Sequence, residues 1–363
     1  MTRFEQDVSD EESNSSSTSS SGDFRTPVRT DHKFTISQPL FSGFKELAAL
    51  QGSGADKKQQ RYEWQRAKEL LFADVMDAYY LVLQNQKDVE LLSATQDLLD
   101  DRLKELKDRV DLGRSRQSEM STSMADMKLI ESDLIEAKAA GKIARHLLEF
   151  YTGEDLEKRS LADEEIGDEI PSVTDWTQRA RLRLDVQAAE QGYIVAQKRV
   201  MNARAGFFPE VYADANYYTR REGFQSDNEW DVLLTIDVPV FDVPQTLGDI
   251  KEAAARQEEQ RLTMEGLRRR AELDIRDTYE NWISSREIEK ALAEADSASK
   301  ENYKSLSDEY RLNLVNNLDV LDALRRYQEV ARRYHDAYFR MKRNYWKLKV
   351  AMGEIADEEE TVP

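Results

Sequence analysis

The side chains that could carry acid–base or metal chemistry show no catalytic spacing in this chain. Its three histidines, His32, His146 and His335, have none of the intervals that metal ligands share. His146 and His335 are predicted at the surfaces of helices, beside charged residues. Cysteine is absent, which excludes disulfides and thiolate metal sites, and no glycine-rich loop could hold phosphate. We therefore predict no catalytic residue, no metal site and no cofactor, and a protein that is not an enzyme.

The composition of the 363-residue chain limits its partners. Charged residues make up 34%, the mean hydropathy is −0.73, and no segment has the roughly 18 consecutive apolar residues of a membrane helix. The net charge of −19 argues against nucleic acid or a broad anionic membrane surface as a partner. We expect this charge to lie on solvated helix faces.

The chain repeats itself at a fixed offset of 200 residues. Residues 34–41 align with residues 234–241, and Gly153 aligns with Gly353, without any gap between them. Matches so widely spread indicate one large supersecondary unit used twice. The predicted organisation is an acidic Ser-rich segment with a candidate first strand (1–32), repeat 1 (33–153), a linker (154–173), repeat 2 (174–354) and an acidic tail (355–363).

The offset also predicts a missing element. Residue 1 corresponds to residue 201, so the repeat 1 counterpart of the helix-like run 176–205 would precede the chain. Residues 1–22 are instead acidic and rich in serine, a composition typical of disorder, and contain no apolar stretch that could act as a secretory signal. We predict that the chain lacks its signal peptide and first helix, as a natural truncation, a fragment or an engineered form would.

Long helices are predicted from the distribution of proline. None occurs between Pro39 and Pro171 or between Pro244 and Pro363, and proline is the residue that helix interiors exclude. At about 1.5 Å per residue, the longer helices would each reach roughly 100 Å. The predicted helices cover about residues 42–112, with fraying near Gly52 and Gly54, then 115–151, 245–312 and 316–352.

Two of these helices carry heptad seams. Their seam residues recur at alternating spacings of four and three, which predicts helices that supercoil against a neighbour. We interpret the many aromatic residues of the second seam as coiled-coil packing rather than as a ligand-binding box. The seam residues are Ile130, Leu134, Ala137, Gly141, Ala144, Leu148 and Tyr151 in repeat 1, and Val320, Leu324, Tyr327, Ala331, Tyr334, Tyr338, Met341, Tyr345, Leu348 and Met352 in repeat 2.

Short segments with a period of two lie between the helices. Residues 211–218 and 230–238 alternate apolar with polar side chains on either side of the turn 223–228, which predicts a β-hairpin. In repeat 1 the second strand is predicted at Lys33–Leu40, and Arg3–Ser9 is a weak candidate for the first. Such strands are long enough to cross a bilayer when tilted. Four strands cannot close a barrel, so spanning strands would require an oligomer; the alternative is a soluble sheet at the end of a coiled coil.

The order of these features resembles that of the TolC-like outer membrane efflux proteins, also called outer membrane factors. Three short motifs of repeat 2 match the family in order: Asn202–Pro209 where a helix meets a strand, Pro239–Phe241 where a strand meets a helix, and Asp319–Ala323 after the periplasmic helical turn. The similarity covers nearly all of residues 34–354.

The resemblance implies a mainly α fold with a small β part. Each protomer of a homotrimer would give four strands to a transmembrane β-barrel and two structural repeats to a long α-helical coiled-coil barrel. The implied protein is an outer-membrane channel with a periplasmic extension, the passive exit duct of a tripartite efflux pump or type I secretion system. Its implied partners are a periplasmic adaptor (membrane fusion) protein, an inner-membrane transporter and outer-membrane lipid. The alternative is a soluble or periplasmic coiled-coil scaffold.

The resemblance also indicates which residues close the tunnel. Asp319 and Asp322 match acidic positions that line the family's constriction, where threefold symmetry would make carboxylate rings that favour cations. The alternative is a first-turn acid that stabilises a helix N-terminus. Tyr310 matches a tyrosine that links neighbouring helices, and Glu119 lies where repeat 1 has the acidic partner. The family's bridging arginine is replaced here by Val315.

The two helical turns match the tips at which family members meet the adaptor. Gly113 permits the positive φ that such a turn can need, and Asn313 is the next most tolerant residue. The alternative is that these turns only end their helices, and that role would require the same residues. The tip residues are Leu112, Gly113 and Arg114 in repeat 1, and Leu312, Asn313 and Leu314 in repeat 2.

Overall fold

In the computed structural model of this chain, the described residues are 31–156, 159–167, 176–221, 227–240 and 243–355. The four long helices agree closely with the sequence prediction, whereas the candidate strand Arg3–Ser9 lies outside the described residues. The elements are β1 (His32–Ser42), α1 (Lys45–Asp111), α2 (Gln117–Thr152), α3 (Trp176–Leu182), α4 (Leu184–Arg204), a 3₁₀ turn (Ala205–Phe207), β2 (Glu210–Arg220), β3 (Trp230–Asp237), α5 (Val243–Arg311) and α6 (Asn317–Met352).

The strands form one compact unit and the helices form a second. Repeat 1 contributes β1 to the first unit and repeat 2 contributes β2 and β3, and both repeats contribute helices to the second unit. The fold is therefore mostly helical with a small sheet, as the sequence predicted.

The strand unit is a three-stranded antiparallel sheet in the order β1–β2–β3. The predicted hairpin is confirmed, with Tyr217 of β2 opposite Trp230 of β3. Strand β1 of repeat 1 pairs with β2 of repeat 2, which places Phe34 opposite Tyr217. Strands β1 and β3 are consequently the two edges of the described sheet.

The two faces of the sheet differ in polarity because alternate side chains point to opposite sides. On the polar face, Thr35 donates to Asn216 over 2.7 Å, and Asn216 donates to Asp231 over 2.8 Å, so one polar row joins all three strands. The other face is apolar, and its large side chains are 59–73% exposed within the described chain. They are Phe34, Ile36, Leu40, Trp230, Val232, Leu234 and Ile236.

In the helical unit, the two longest helices, α1 and α5, both pack against α4 along one part of their length and against α6 along another. Helix α1 contacts α4 at Gly52 and α6 at Tyr80. Helix α5 contacts α4 at Arg268 and α6 at Tyr303. Helix α1 is continuous through Gly52 and Gly54, so the predicted fraying there is wrong.

The heptad seams are confirmed as packing surfaces. The aromatic residues of the α6 seam pack against other rings, with Tyr327 stacked on Tyr303 at 6.2 Å and Tyr345 at 6.2 Å from Trp282. Buried seam residues include Ile130, Leu134, Ala137, Ala144 and Leu148 in α2, and Val320, Leu324, Ala331, Leu348 and Met352 in α6.

The two helical histidines differ in exposure. His146 is exposed, as predicted, but the predicted surface position is wrong for His335, which is partly buried. The reason is that α6 packs against both α1 and α5, so that more than its seam is covered. Burial holds the pKa of His335 below its ordinary value, although Asp296 and Asp88 oppose that shift.

Among the described residues, no helix combines the length and the apolar character that crossing a membrane requires.

Candidate functional site at the helical tips

Both helical hairpins end in the same backbone motif, 200 residues apart. At the first tip, the backbone amide of Arg114 donates to the backbone carbonyl of Arg109 over 2.8 Å. At the second tip, the backbone amide of Leu314 donates to the backbone carbonyl of Glu309 over 2.9 Å. This is the Schellman arrangement, which needs a left-handed residue just beyond the helix. Gly113 has φ 70° and Asn313 has φ 59°, so the predicted positive φ is confirmed at both tips.

The side chains at the tips are apolar and open to solvent. Leu112 is 69% exposed, and Leu312 and Leu314 are each 70% exposed. The second tip therefore presents two leucines, whereas the first presents a leucine and Arg114.

The structure joins the two tips directly. Arg109, in the last turn of α1, donates to the side-chain oxygen of Asn313 over 3.2 Å. The same arginine pairs with Glu105 at 2.9 Å, and its guanidinium lies 4.4 Å from the ring of Tyr310. Asn313 thus forms the second turn and links it to the first hairpin.

Tyr310 contacts two arginines of α1. Its side chain is buried, and the guanidinium of Arg102 lies over the ring at 3.6 Å. Burial raises the pKa of Tyr310, with Arg102 and Arg109 opposing the shift. Glu119 accepts a hydrogen bond from Ser115 over 2.8 Å, and its charge adds to the raised pKa of Tyr310. A direct link between Glu119 and Tyr310 stays a prediction.

A buried polar network continues from Arg102. Its Nε donates to the side-chain oxygen of Asn317 over 2.9 Å, and the amide of Asn317 lies 3.3 Å from the hydroxyl of Ser123. Asn317 is 1% exposed and Ser123 is fully buried. This network connects α1, α2 and the first turn of α6. Burial lowers the pKa of Arg102, and its Nη2 has no hydrogen-bond partner among the described residues.

Sequence reasoning did not find Arg102 or Asn317, although one signal was present. Asn317 lies three residues before Val320 and so continues the α6 seam at an apolar position. A single polar residue in such a seam commonly fixes helix register. No comparable signal identifies Arg102, because Tyr310 and Asn317, which it contacts across the hairpins, lie on other helices.

Asp319 caps its own helix. The side chain of Asn316 accepts from the amide of Asp319 over 3.1 Å, and the carboxylate of Asp319 accepts from the amide of Asn316 over 3.2 Å. This reciprocal capping box stabilises the first turn of α6. Within one chain, the contacts of Asp319 are therefore those of the alternative role, an acid in the first turn that stabilises the helix N-terminus.

Asp322 lies beside a charged bridge between hairpins. It is 3.0 Å from Arg325, and Arg325 also donates to both carboxylate oxygens of Asp126 on α2 over 2.8 Å. Asp126 and Arg325 lie on different hairpins, so this pair is a second link near the tips. The side chain of Asp322 remains 75% exposed.

The described residues contain no group of three or more His, Asp or Glu side chains that could hold a metal ion. The arrangement at the tips can join helices, present apolar side chains and place carboxylates near a helix end.

Comparison with known proteins identifies relatives of this fold. Residues 177–354 match the family described as outer membrane efflux protein. The outer membrane protein TolC of Vibrio cholerae is 20% identical over 321 residues, covering 84% of this chain and 73% of TolC. A membrane protein from Pseudomonas aeruginosa superposes with a TM-score of 0.78 at 17% identity over 91% of this chain and 84% of its own. The outer membrane protein VceC of Vibrio cholerae gives 0.76 at 18% identity, over 89% and 79%.

Proposed function

We propose that this chain, whose residues 177–354 match the outer membrane efflux protein family, is the outer-membrane exit duct of an efflux pump or type I secretion system. In this role it conducts cargo passively, and an inner-membrane transporter supplies the energy. The proposed location is the outer membrane, with the helices extending into the periplasm.

The observation that carries this proposal is the open apolar face of the sheet. Large side chains such as Ile36 and Trp230 are 73% and 69% exposed on one face, while Asn216 and its partners line the other. A sheet with one apolar and one polar face is suited to a wall between lipid and water. Its edges, β1 and β3, would be costly in lipid unless other strands paired with them.

Pairing those edges requires further copies of the chain. Barrels that span membranes have about eight or more strands, and this chain offers three described strands and the candidate strand 3–9. Three copies with four strands each would close a barrel of twelve. We therefore propose a homotrimer, whose helical units together would enclose a tunnel.

The tips form the closed end of the proposed tunnel. Asp319 and Asp322 would each recur three times around its axis, and such rings favour cations at a constriction. Capping does not compete with this role, since a carboxylate that accepts one amide retains further acceptor sites. Tyr310 and its arginines would hold the hairpins together in the shut state.

The exposed tip leucines are proposed to dock a periplasmic adaptor protein. Leu112, Leu312 and Leu314 would lie at the free end of each hairpin, and apolar anchors of this kind supply much of the free energy of association. The polar residues beside them, Arg114 and Asn313, would set the orientation of the partner.

The test is the mass and channel activity of the full chain, exported to a Gram-negative envelope with an added signal peptide. We expect extraction only with detergent, a trimer by mass, and single-channel conductance in planar bilayers. A monomer or dimer that extracts without detergent would support the coiled-coil scaffold and overturn the duct.

A further inference from the structure

An acidic side chain of α1 lies inside the helical unit. Glu69 is 3% exposed, whereas Lys68 and Leu70 beside it are exposed. Its Oε2 accepts a hydrogen bond from Arg66 over 2.7 Å, but its Oε1 is buried without a hydrogen-bond partner among the described residues. Buried polar atoms in folded proteins usually have a partner, so this oxygen requires an explanation.

Arg66 joins this acid to the end of another helix. The nitrogen that donates to Glu69 also donates to the backbone carbonyl of Val350 over 2.9 Å, in the last turn of α6. The side chain of Arg66 is 11% exposed. A cation at this end of a helix is favourable because the helix dipole places negative charge there. Glu69, Arg66 and Val350 therefore form a contact between α1 and α6, called the junction below.

A second arginine and a second acid act on Glu69 from the start of α4. Arg183 is 4% exposed and donates to Asp185 through two nitrogens, over 2.6 and 3.1 Å. It also pairs with Asp274 of α5 at 3.3 Å. Burial alone would raise the pKa of Asp185, but the hydrogen bonds and charge of Arg183 hold it below its ordinary value. Asp185 is therefore ionised, and it repels an ionised Glu69.

The charges on nearby turns of these helices have partners of their own. They are Lys347 with Asp77, Lys349 with Glu354, and Arg268 with Glu190. The groups that set the charge of Glu69 are therefore Arg66 on its own helix, and Arg183 and Asp185 at α4.

These surroundings favour the neutral form of Glu69. The cluster contains two arginines and three carboxyl groups, so it has no net charge only when one carboxyl group is protonated. An ionised carboxylate with a buried, unpaired oxygen costs far more than a neutral acid in the same place. Burial raises the pKa of Glu69 and Asp185 adds to the rise, whereas Arg66 and Arg183 oppose it.

We propose that Glu69 keeps its proton under mildly acidic conditions and that this proton holds the junction closed, which makes the contact of α1 with the end of α6 a pH-sensitive latch. When Glu69 ionises, its carboxylate can reach water only by leaving the contact. Arg66, its counter-ion, then leaves the carbonyl of Val350 with it. The latch is closed at low pH and weakened as the pH rises, and it rests on contacts within one chain rather than on the proposed duct.

The latch makes stability depend on pH in a defined direction. Folded Glu69 binds its proton more tightly than the unfolded chain does, so its contribution is fully present below about pH 4.3, the pKa of an ordinary glutamate. The contribution is lost as the pH rises through the folded pKa.

Glu69→Gln has the shape of the neutral acid and cannot ionise. Its unfolding temperature relative to wild type should therefore rise by at least about 2 °C between about pH 4.5 and pH 8. Glu63→Gln, at an exposed position six residues earlier on the same helix, is the matched control and should show no such rise.

Infrared difference spectra report on the proton itself. Wild type minus Glu69→Gln at about pH 5.5 should show the carbonyl stretch of a protonated carboxylic acid, and this band should fade as the pH rises. Deuterium uptake by the last turn of α6, corrected for the intrinsic effect of pH on exchange, should increase over the same range in wild type but not in Glu69→Gln. If Glu69→Gln does not fold, Asp185→Asn is the second test, because removal of the like charge should shift the loss of the band to lower pH.

The latch is overturned if Glu69 shows no protonated carboxyl band at about pH 5.5, or if the temperature difference is as flat for Glu69→Gln as for Glu63→Gln. A protonated Glu69 with no pH-dependent uptake at the end of α6 would equally contradict it. None of these measurements needs a conducting channel, so a chain that never conducts would contradict the proposed duct alone.

Discussion

The guanidinium of Arg102 lies 3.6 Å from the ring centroid of Tyr310, with the aromatic face covered by a charge from another helix. Such a cation–π contact is attractive, and Arg102 also satisfies the buried oxygen of Asn317. One side chain thus joins α1 to the ends of both helices of the second hairpin. It is therefore one of the connections between the hairpins at their tips, beside Arg109 with Asn313 and Asp126 with Arg325.

Replacement of Arg102 by methionine should weaken that connection. The aliphatic stem would still pack on Tyr310, but Asn317 would keep a buried acceptor without its donor, at a cost of about 1–3 kcal/mol. We expect a lower unfolding temperature and, under the proposed function, a higher resting conductance in bilayers. Lys104→Met, two residues away and exposed, is the control and should change neither quantity; equal effects of both substitutions would contradict the role of Arg102.

Asp319 and Asp322 can be separated by their effects on stability and on ion selectivity. Asp319→Asn should lower stability by about 0.3–1 kcal/mol, because it removes a charge from a helix N-terminus. Asp322→Asn should have little effect, since its pair with Arg325 is exposed. If both residues form rings, each substitution should shift the reversal potential in a salt gradient towards lower cation selectivity. Asp308→Asn is the control, and unchanged reversal potentials would leave Asp319 with capping alone.

Gly113 is required by backbone conformation rather than by space. It has φ +70°, and a Cβ placed there would meet nothing within 4 Å. Gly113→Ala should therefore lower the free energy of unfolding by about 1–2 kcal/mol through backbone strain alone.

Gly54 offers a matched comparison, because a Cβ there also meets nothing within 4 Å but the residue lies inside a helix. Gly54→Ala should raise stability by about 0.5–1 kcal/mol. Thermal unfolding that moved in the same direction for both would refute the conformational argument.

The fold could be predicted from the sequence because its determinants are local or periodic. Prolines bound the long helices, a heptad pattern marks each seam, and alternation marks the hairpin that pairs Tyr217 with Trp230. The pairing of β1 with β2 was not predicted, since it joins segments from different repeats. Gly52 was assigned to a frayed stretch on propensity alone, but packing of α1 against α4 keeps the helix intact there.

The site was less predictable because its contacts cross between helices far apart in the chain. The resemblance pointed to Tyr310 and Glu119 as linking residues. Tyr310 is buried under Arg102, Glu119 accepts a hydrogen bond from Ser115, and a link between the two stays a prediction. Arg102 carries the link, and nothing local distinguishes it from the many surface arginines. The capping role of Asp319, in contrast, depends on a residue three positions away, which is why the sequence could suggest it.

The partly buried His335 should make stability depend on pH in a defined direction. Burial holds the pKa of His335 below its ordinary value, so the unfolded chain binds this proton more readily than the folded chain. Stability should accordingly fall as the pH drops below about 6.5, the pKa of an unperturbed histidine. His335→Gln cannot titrate, so its unfolding temperature relative to wild type should rise between about pH 7.5 and pH 5. His146→Gln, at an exposed position of α2, is measured alongside as the control. The opposite trend for His335→Gln would mean that Asp296 and Asp88 outweigh burial at this position.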